Sequence, residues 1–194
     1  MQLQTRSIGI FAALVLLMAA TRYNHFGSSV SLPDASWAVF FLAGVLLPRL
    51  GWVAWAAFGV LLLEAWGIDY YATQIQGVSD WCITPAYGFL IPTYASLWLG
   101  GSWFAARQQN TWRSLGEFFG IAVLATSIAF LISNISFYLL SGRIGDMGVM
   151  EYATSVAKYY PPYLTGSMLY LAVAALLYVL LVADRKDSIS VTRN

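Results

Sequence analysis

Of the 194 residues, 59% are hydrophobic and only 10% charged. A soluble domain carries roughly 25% charged residues, so lipid is the expected solvent for most of this chain. A formal net charge of +1 excludes a basic nucleic-acid footprint, and one cysteine with one histidine excludes an internal disulfide and a zinc site of three or four His/Cys ligands.

The length allows one domain, 1–194, and the apolar runs predict an all-α polytopic membrane protein of six transmembrane helices. The segments fall at about 7–21, 33–47, 50–66, 82–106, 115–140 and 162–183. The first, Ile8 to Ala20 behind Arg6, looks like a signal peptide with a poor cleavage site at Met18-Ala19-Ala20, and is read as a retained helix. Turn chemistry marks the breaks: Asn24 to Ser29, Pro48-Arg49, Gln108 to Asn110, Ser141 to Asp146 and Pro161-Pro162. The first three segments are short against the ~20 residues a spanning helix needs. Small residues four apart, Gly9/Ala13, Gly116/Gly120 and Ala125/Ala129, are expected at close helix contacts within the fold.

Orientation follows from the basic residues. With the N-terminus inside, Arg6, Arg49, Arg107, Arg113, Arg185, Lys186 and Arg193 lie at the cytoplasmic ends, and only Arg22, Arg143 and Lys158 lie outside. Both termini are therefore expected in the cytoplasm, with residues 67–81 and 141–160 as outer loops. The acidic residues lean the other way: Asp34, Glu64, Asp69, Asp80, Asp146 and Glu151 fall on the outer side.

The stretch Ser79-Asp80-Trp81-Cys82-Ile83-Thr84-Pro85-Ala86-Tyr87-Gly88 holds the one cysteine and opens the fourth segment. Free N–H groups and the dipole at a helix start lower a thiol pKa, and Asp80 opposes that. The alternative is an inert thiol packed at the interface. A single thiolate suffices for a metal that arrives inside a macrocycle, because such a metal needs one axial ligand; haem and cobalamin both fit. Bis-histidine haem is excluded, since His25 is the single histidine. Tyr87, five residues on, shares a face with Cys82 only if Pro85 distorts the turn or Cys82 precedes the helix. Asp69 is either a site carboxylate or a solvated loop residue, Tyr87 a site phenol or an interfacial tyrosine, and His25 a site residue or an exposed loop residue. Arg143 is a ligand-holding cation or a cap on the fifth helix. The sequence carries no Walker motif, phosphate loop or Ser/His/Asp set, so any ATPase belongs to another chain.

Two stretches carry a resemblance: Leu32-Pro33-Asp34-Ala35-Ser36-Trp37-Ala38-Val39-Phe40-Phe41-Leu42-Ala43-Gly44, and Asp80-Trp81-Cys82 with Tyr87 behind it, together with the Asp69 loop. With them the chain resembles the BtuM family of cobalamin transport proteins, related to the S-components of energy-coupling-factor (ECF) transporters. The resemblance covers nearly the whole chain. It implies a pocket that opens outward for cobalamin or cobinamide, with Cys82 as axial ligand of the corrin cobalt and Asp69, Tyr87, His25 and Arg143 as corrinoid-binding residues. It also implies a bacterial inner-membrane location and an ECF-type coupling module with ATPases as partner. S-components commonly carry Ala-x-x-x-Ala on the first helix for docking that module, where this chain reads Gly9-x-x-x-Ala13. The expected function is corrinoid uptake, with thiolate-dependent decyanation as a secondary activity of Cys82. The alternatives are an S-component for another vitamin or tetrapyrrole, and a membrane enzyme that strips the upper ligand from cobalamin.

Overall fold

The computed structural model describes residues 2–25, 32–47, 51–109 and 111–191, and every regular element among them is helical. In chain order these are α1 (Gln2–His25), α2 (Ser36–Leu46) and α3 (Trp52–Tyr70), which runs on as a π-helical turn (Tyr71–Ile75). A 3-10 turn (Pro85–Phe89) leads into α4 (Leu90–Ala105), followed by α5 (Trp112–Leu140), α6 (Val149–Ala157) and α7 (Tyr160–Val191).

The bundle is built around α2. Residues Ser36 to Gly44 are all buried, as a helix that is apolar on every side must be. Its 11 residues span only about 16 Å, roughly half the ~30 Å hydrocarbon thickness. Helix α4 packs most extensively on α2, and α5 packs on α4. Two glycines permit the α2–α4 approach. A Cβ on Gly44 would lie 2.1 Å from the Trp98 carbonyl oxygen, and one on Gly101 would lie 2.1 Å from that of Phe41. The α4–α5 seam closes where Gly100 meets Ala125.

Of the expected small-residue contacts, Ala125 and Ala129 are buried. Gly9, Gly116 and Gly120 are not at contacts: a Cβ on any of them would meet nothing within 4 Å. Spacing defines a helix face but not what that face meets, and these faces point outward.

Three helices are long and apolar enough to cross a membrane, Trp52–Ile75, Trp112–Leu140 and Tyr160–Leu180, with shorter apolar helices at Ser7–Tyr23 and Ser36–Leu46. The protein is thus a membrane protein by the length and composition of three helices. Leu16, Leu63, Leu139 and Leu176 stand exposed on α1, α3, α5 and α7, an apolar exterior suited to lipid.

Several boundaries differ from the sequence reading. The first and third helices are not short: α1 covers 24 residues, and α3 with its π turn continues to Ile75 through what was expected to be the outer loop. Polar residues extend α3 because each finds a partner: Thr73 Oγ1 donates to the Asp69 carbonyl at 2.8 Å, and the Asp69 carboxylate is held by Arg22 of α1. The fourth segment starts at Pro85, not at residue 82. The expected outer loop 141–160 contains α6, which was missed because it is amphipathic and only 9 residues long.

Candidate functional site

The C-terminal ends of α1 and α3 and the N-terminal ends of α2 and α4 gather at one end of the bundle. At their meeting point lies Arg22, in the last turns of α1, where α1 packs on both α2 and α3. The sequence reading placed it in an outer loop, but it is 7% exposed. Its Nε donates to Asp69 Oδ1 at 2.7 Å, and its Nη2 donates to Asp69 Oδ2, a bidentate pair. Nη1 serves Asp34 Oδ2 at 3.1 Å, Ser36 Oγ at 3.0 Å and Tyr94 Oη at 2.9 Å. The Tyr87 hydroxyl donates to Asp69 Oδ2. Asp34 Oδ1 accepts from the Ser36 N–H at 2.9 Å and from its hydroxyl at 2.6 Å, which opens α2.

One guanidinium joins α1 to α2, α3 and α4, and Tyr87 ties in the 3-10 turn through Asp69. The knot's carriers of charge are one arginine and two aspartates, so it is singly negative. Asp69 is 4% exposed, and a buried carboxylate is tolerable only when paired and fully hydrogen-bonded. The Tyr94 ring stacks on Phe40 at 4.1 Å and 6°, which fixes the phenol that Arg22 uses. Arg22, Asp34, Ser36 and Tyr94 were not singled out as site residues from the sequence. The available signal was the excess of carboxylates at this end, which calls for a buried cation.

Cys82 lies beside the knot but outside any helix. It is exposed and sits in a turn in which the Ile83 N–H donates to the Asp80 carbonyl at 2.8 Å. Pro85 is the first residue of the 3-10 turn, so Cys82 precedes the helix and the angular separation from Tyr87 on an ideal helix does not apply. The expected low thiol pKa is corrected. No helix start reaches the sulfur; partial desolvation raises the Cys82 thiol above its ordinary value, and the charge of Asp69 raises it further. Tyr87 is likewise pushed up, by burial first and then by the charge and hydrogen bond of Asp69.

Arg143 does not cap α5. Ser141 holds the cap position, with its N–H bonded to the Phe137 carbonyl at 3.0 Å. The Arg143 guanidinium instead lies 5.1 Å over the Trp81 ring, a cation–π contact that draws the 141–148 loop to the residue next to Cys82. The structure therefore joins Asp69 to Tyr87 and brings Arg143 to the Cys82 loop. The His25 side chain lies outside the described residues.

Two buried polar atoms near Tyr87, Trp66 Nε1 and Thr84 Oγ1, have no hydrogen-bond partner; the Trp66 and Tyr87 rings are 6.5 Å apart. Two large apolar grooves lie away from Cys82. One of about 420 Å³ sits between the C-terminal end of α2, the start of α5 and α7, lined by Leu46, Phe104, Trp112 and Tyr178. The other, about 610 Å³, lies between α5 and α6, lined by Leu131, Ile135, Tyr152 and Val156. Among the described residues no three His, Cys, Asp or Glu side chains converge as a metal site. No family model matches the chain, and no curated protein does.

Proposed function

We propose that the protein takes up corrinoids across a bacterial inner membrane, binding cobalamin or cobinamide at the end of the bundle that carries Cys82, which faces outward. On this reading α1, α2, α3, α4, α5 and α7 are six spans, and both termini are cytoplasmic. The observation that carries the proposal is the exposed Cys82 thiol, set between the Asp69–Tyr87 pair and the Trp81–Arg143 pair. A lone thiol makes a metal ligand only for a metal already held by a macrocycle. A corrin supplies four equatorial nitrogens and leaves two axial positions, and thiolate is the ligating form of cysteine.

The roles of the chain's groups follow. Cys82 loses its proton and donates to cobalt, displacing the corrinoid's own base or an upper group such as cyanide. The flat Trp81 ring with Arg143 above it suits a large planar ligand rimmed with amides. Trp66 Nε1–H and the Thr84 hydroxyl are donors without acceptors, which amide oxygens would satisfy. With an electron from an outside reductant, cobalt(III) becomes cobalt(II), which holds cyanide weakly; cyanide leaves as the anion and Cys82 stays bound. Decyanation is thus a secondary activity of the same thiol. A coupling module with its ATPases is the partner implied for release.

The test is the visible spectrum of the protein–cobalamin complex, parent against Cys82→Ser at equal occupancy. Serine is close in size but a poor ligand at neutral pH, so the cobalt absorption should shift in the parent and revert in the variant. Identical spectra would mean that Cys82 does not touch cobalt.

A further inference from the structure

Glu64 lies on α3, five residues nearer the middle of the bundle than Asp69. It sits inside a helix long and apolar enough to cross a membrane. Both of its carboxyl oxygens are buried and no side chain pairs with either. The carboxyl meets the backbone of α1 at Ala19, and Arg22 is the cation whose charge acts on it. An ionised carboxylate without a partner at membrane depth is costly, and intramembrane ionisable groups of this kind mark ion and proton sites.

The surrounding charges sharpen the point. On α1, among the described residues near this end, Arg22 is the cation and the exposed Tyr23 the other titratable side chain. On α3 itself stands Asp69, and from α2, the 3-10 turn and α4 come Asp34, Tyr87 and Tyr94. Arg22 already serves two carboxylates. A charged Glu64 would be a third carboxylate on one guanidinium and would leave the buried cluster doubly negative.

We propose that Glu64 is a proton-binding site whose occupancy is governed by Arg22. While Asp69 and Asp34 hold Arg22, Glu64 is a neutral acid. When either releases it, Arg22 keeps the other aspartate and Glu64 replaces the one lost, so Glu64–COOH becomes Glu64–COO⁻ with its proton passing to solvent. One O–H bond breaks and one ion pair forms, and the net charge of the cluster is restored. The proton site is built on α1 and α3, with Asp34 before α2 sharing its control, and does not depend on the corrinoid reading; if that reading holds, the site offers a proton that moves whenever the knot opens.

The experiment is infrared difference spectroscopy of the full-length protein in lipid at neutral pH, without any corrinoid. The parent should show the carbonyl stretch of a protonated carboxylic acid, and Glu64→Gln should lose it. Asp69→Asn removes one negative charge from the knot, so Glu64 should ionise and the band should vanish at the same pH. Asp34→Asn makes the same charge change at a half-buried position and serves where Asp69→Asn does not fold; there too the band should fall. A parent without the band, a band that survives Glu64→Gln, or a band unmoved by both aspartate variants overturns the proposal. Because no corrinoid enters these measurements, such a failure leaves the uptake reading standing.

Discussion

Replacing Arg22 by methionine tests whether the knot is a paired, buried charge system. Methionine keeps most of the alkyl stem and removes the guanidinium. Five hydrogen bonds disappear: two to Asp69 and one each to Asp34, Ser36 and Tyr94. The consequences are unequal. The Asp34 side chain is 22% exposed and keeps the Ser36 donors, so water and α2 compensate much of its loss. Asp69, 4% exposed, keeps only the Tyr87 hydroxyl among the described residues. Breaking a buried pair by removing one partner costs about 3–5 kcal/mol, and nearly all of that should come from Asp69. Asp69→Asn leaves Arg22 with Asp34, Ser36 and Tyr94, and should cost only about 1–3 kcal/mol. The double variant has neither charge, so it should fall short of the sum of the singles by about 1–3 kcal/mol. Equilibrium unfolding of detergent-solubilised parent, singles and double measures this coupling. Strictly additive single effects, or an Arg22→Met protein as stable as the parent, would falsify the assignment of Arg22 as the partner of Asp69.

Two further expectations are simpler to test. The Cys82 thiol is raised above its ordinary value, so near neutral pH it is protonated and, on the proposed uptake reading, must lose that proton to bind cobalt. Corrinoid affinity should therefore rise about tenfold per pH unit until the thiol pKa is reached, and the rise should be absent in Cys82→Ser; a parent affinity flat from pH 6 to 8 would argue against thiolate ligation. Gly44→Ala places a methyl 2.1 Å from the Trp98 carbonyl oxygen. It must force α2 and α4 apart, costing about 1–3 kcal/mol or more, whereas Gly9→Ala meets nothing within 4 Å and should leave stability at or slightly above that of the parent. Equal thermal midpoints for the two variants would contradict the α2–α4 packing.

The helical class and the rough positions of the apolar helices were legible because hydropathy alone sets them. Helix ends were less so. Asp69 looked like a loop residue because an aspartate after an apolar run reads as an exit into water; it is helical because Arg22 satisfies it from 47 residues away. Arg22 was misplaced for the same reason, since nothing local in Thr21-Arg22-Tyr23 shows that three other elements converge on it. Asp69 and Tyr87 were picked out separately, yet their hydrogen bond depends on the 3-10 turn at Pro85–Phe89, a turn that residue spacing on an ideal helix does not describe. The contact of Arg143 with Trp81 joins loops 62 residues apart and has no local signature.

The placement of charges in the knot follows from the helix ends that meet there. The C-terminal ends of α1 and α3 carry partial negative charge, and the N-terminal ends of α2 and α4 partial positive charge. Arg22 near the end of α1 and Asp34 before α2 are each placed where the dipole favours them. The short α2 strengthens this, because its N-terminus opens at the depth of the knot, not at a helix end in water. Asp69 is the exception: a carboxylate near the C-terminal end of its own helix, held against the dipole by Arg22 and Tyr87. It therefore depends most on those two partners and will respond first when either is drawn away. Tyr87 stands on the short turn that follows Cys82, so a ligand that moves the Cys82 loop acts on Asp69 through Tyr87, and on Arg22 through Asp69.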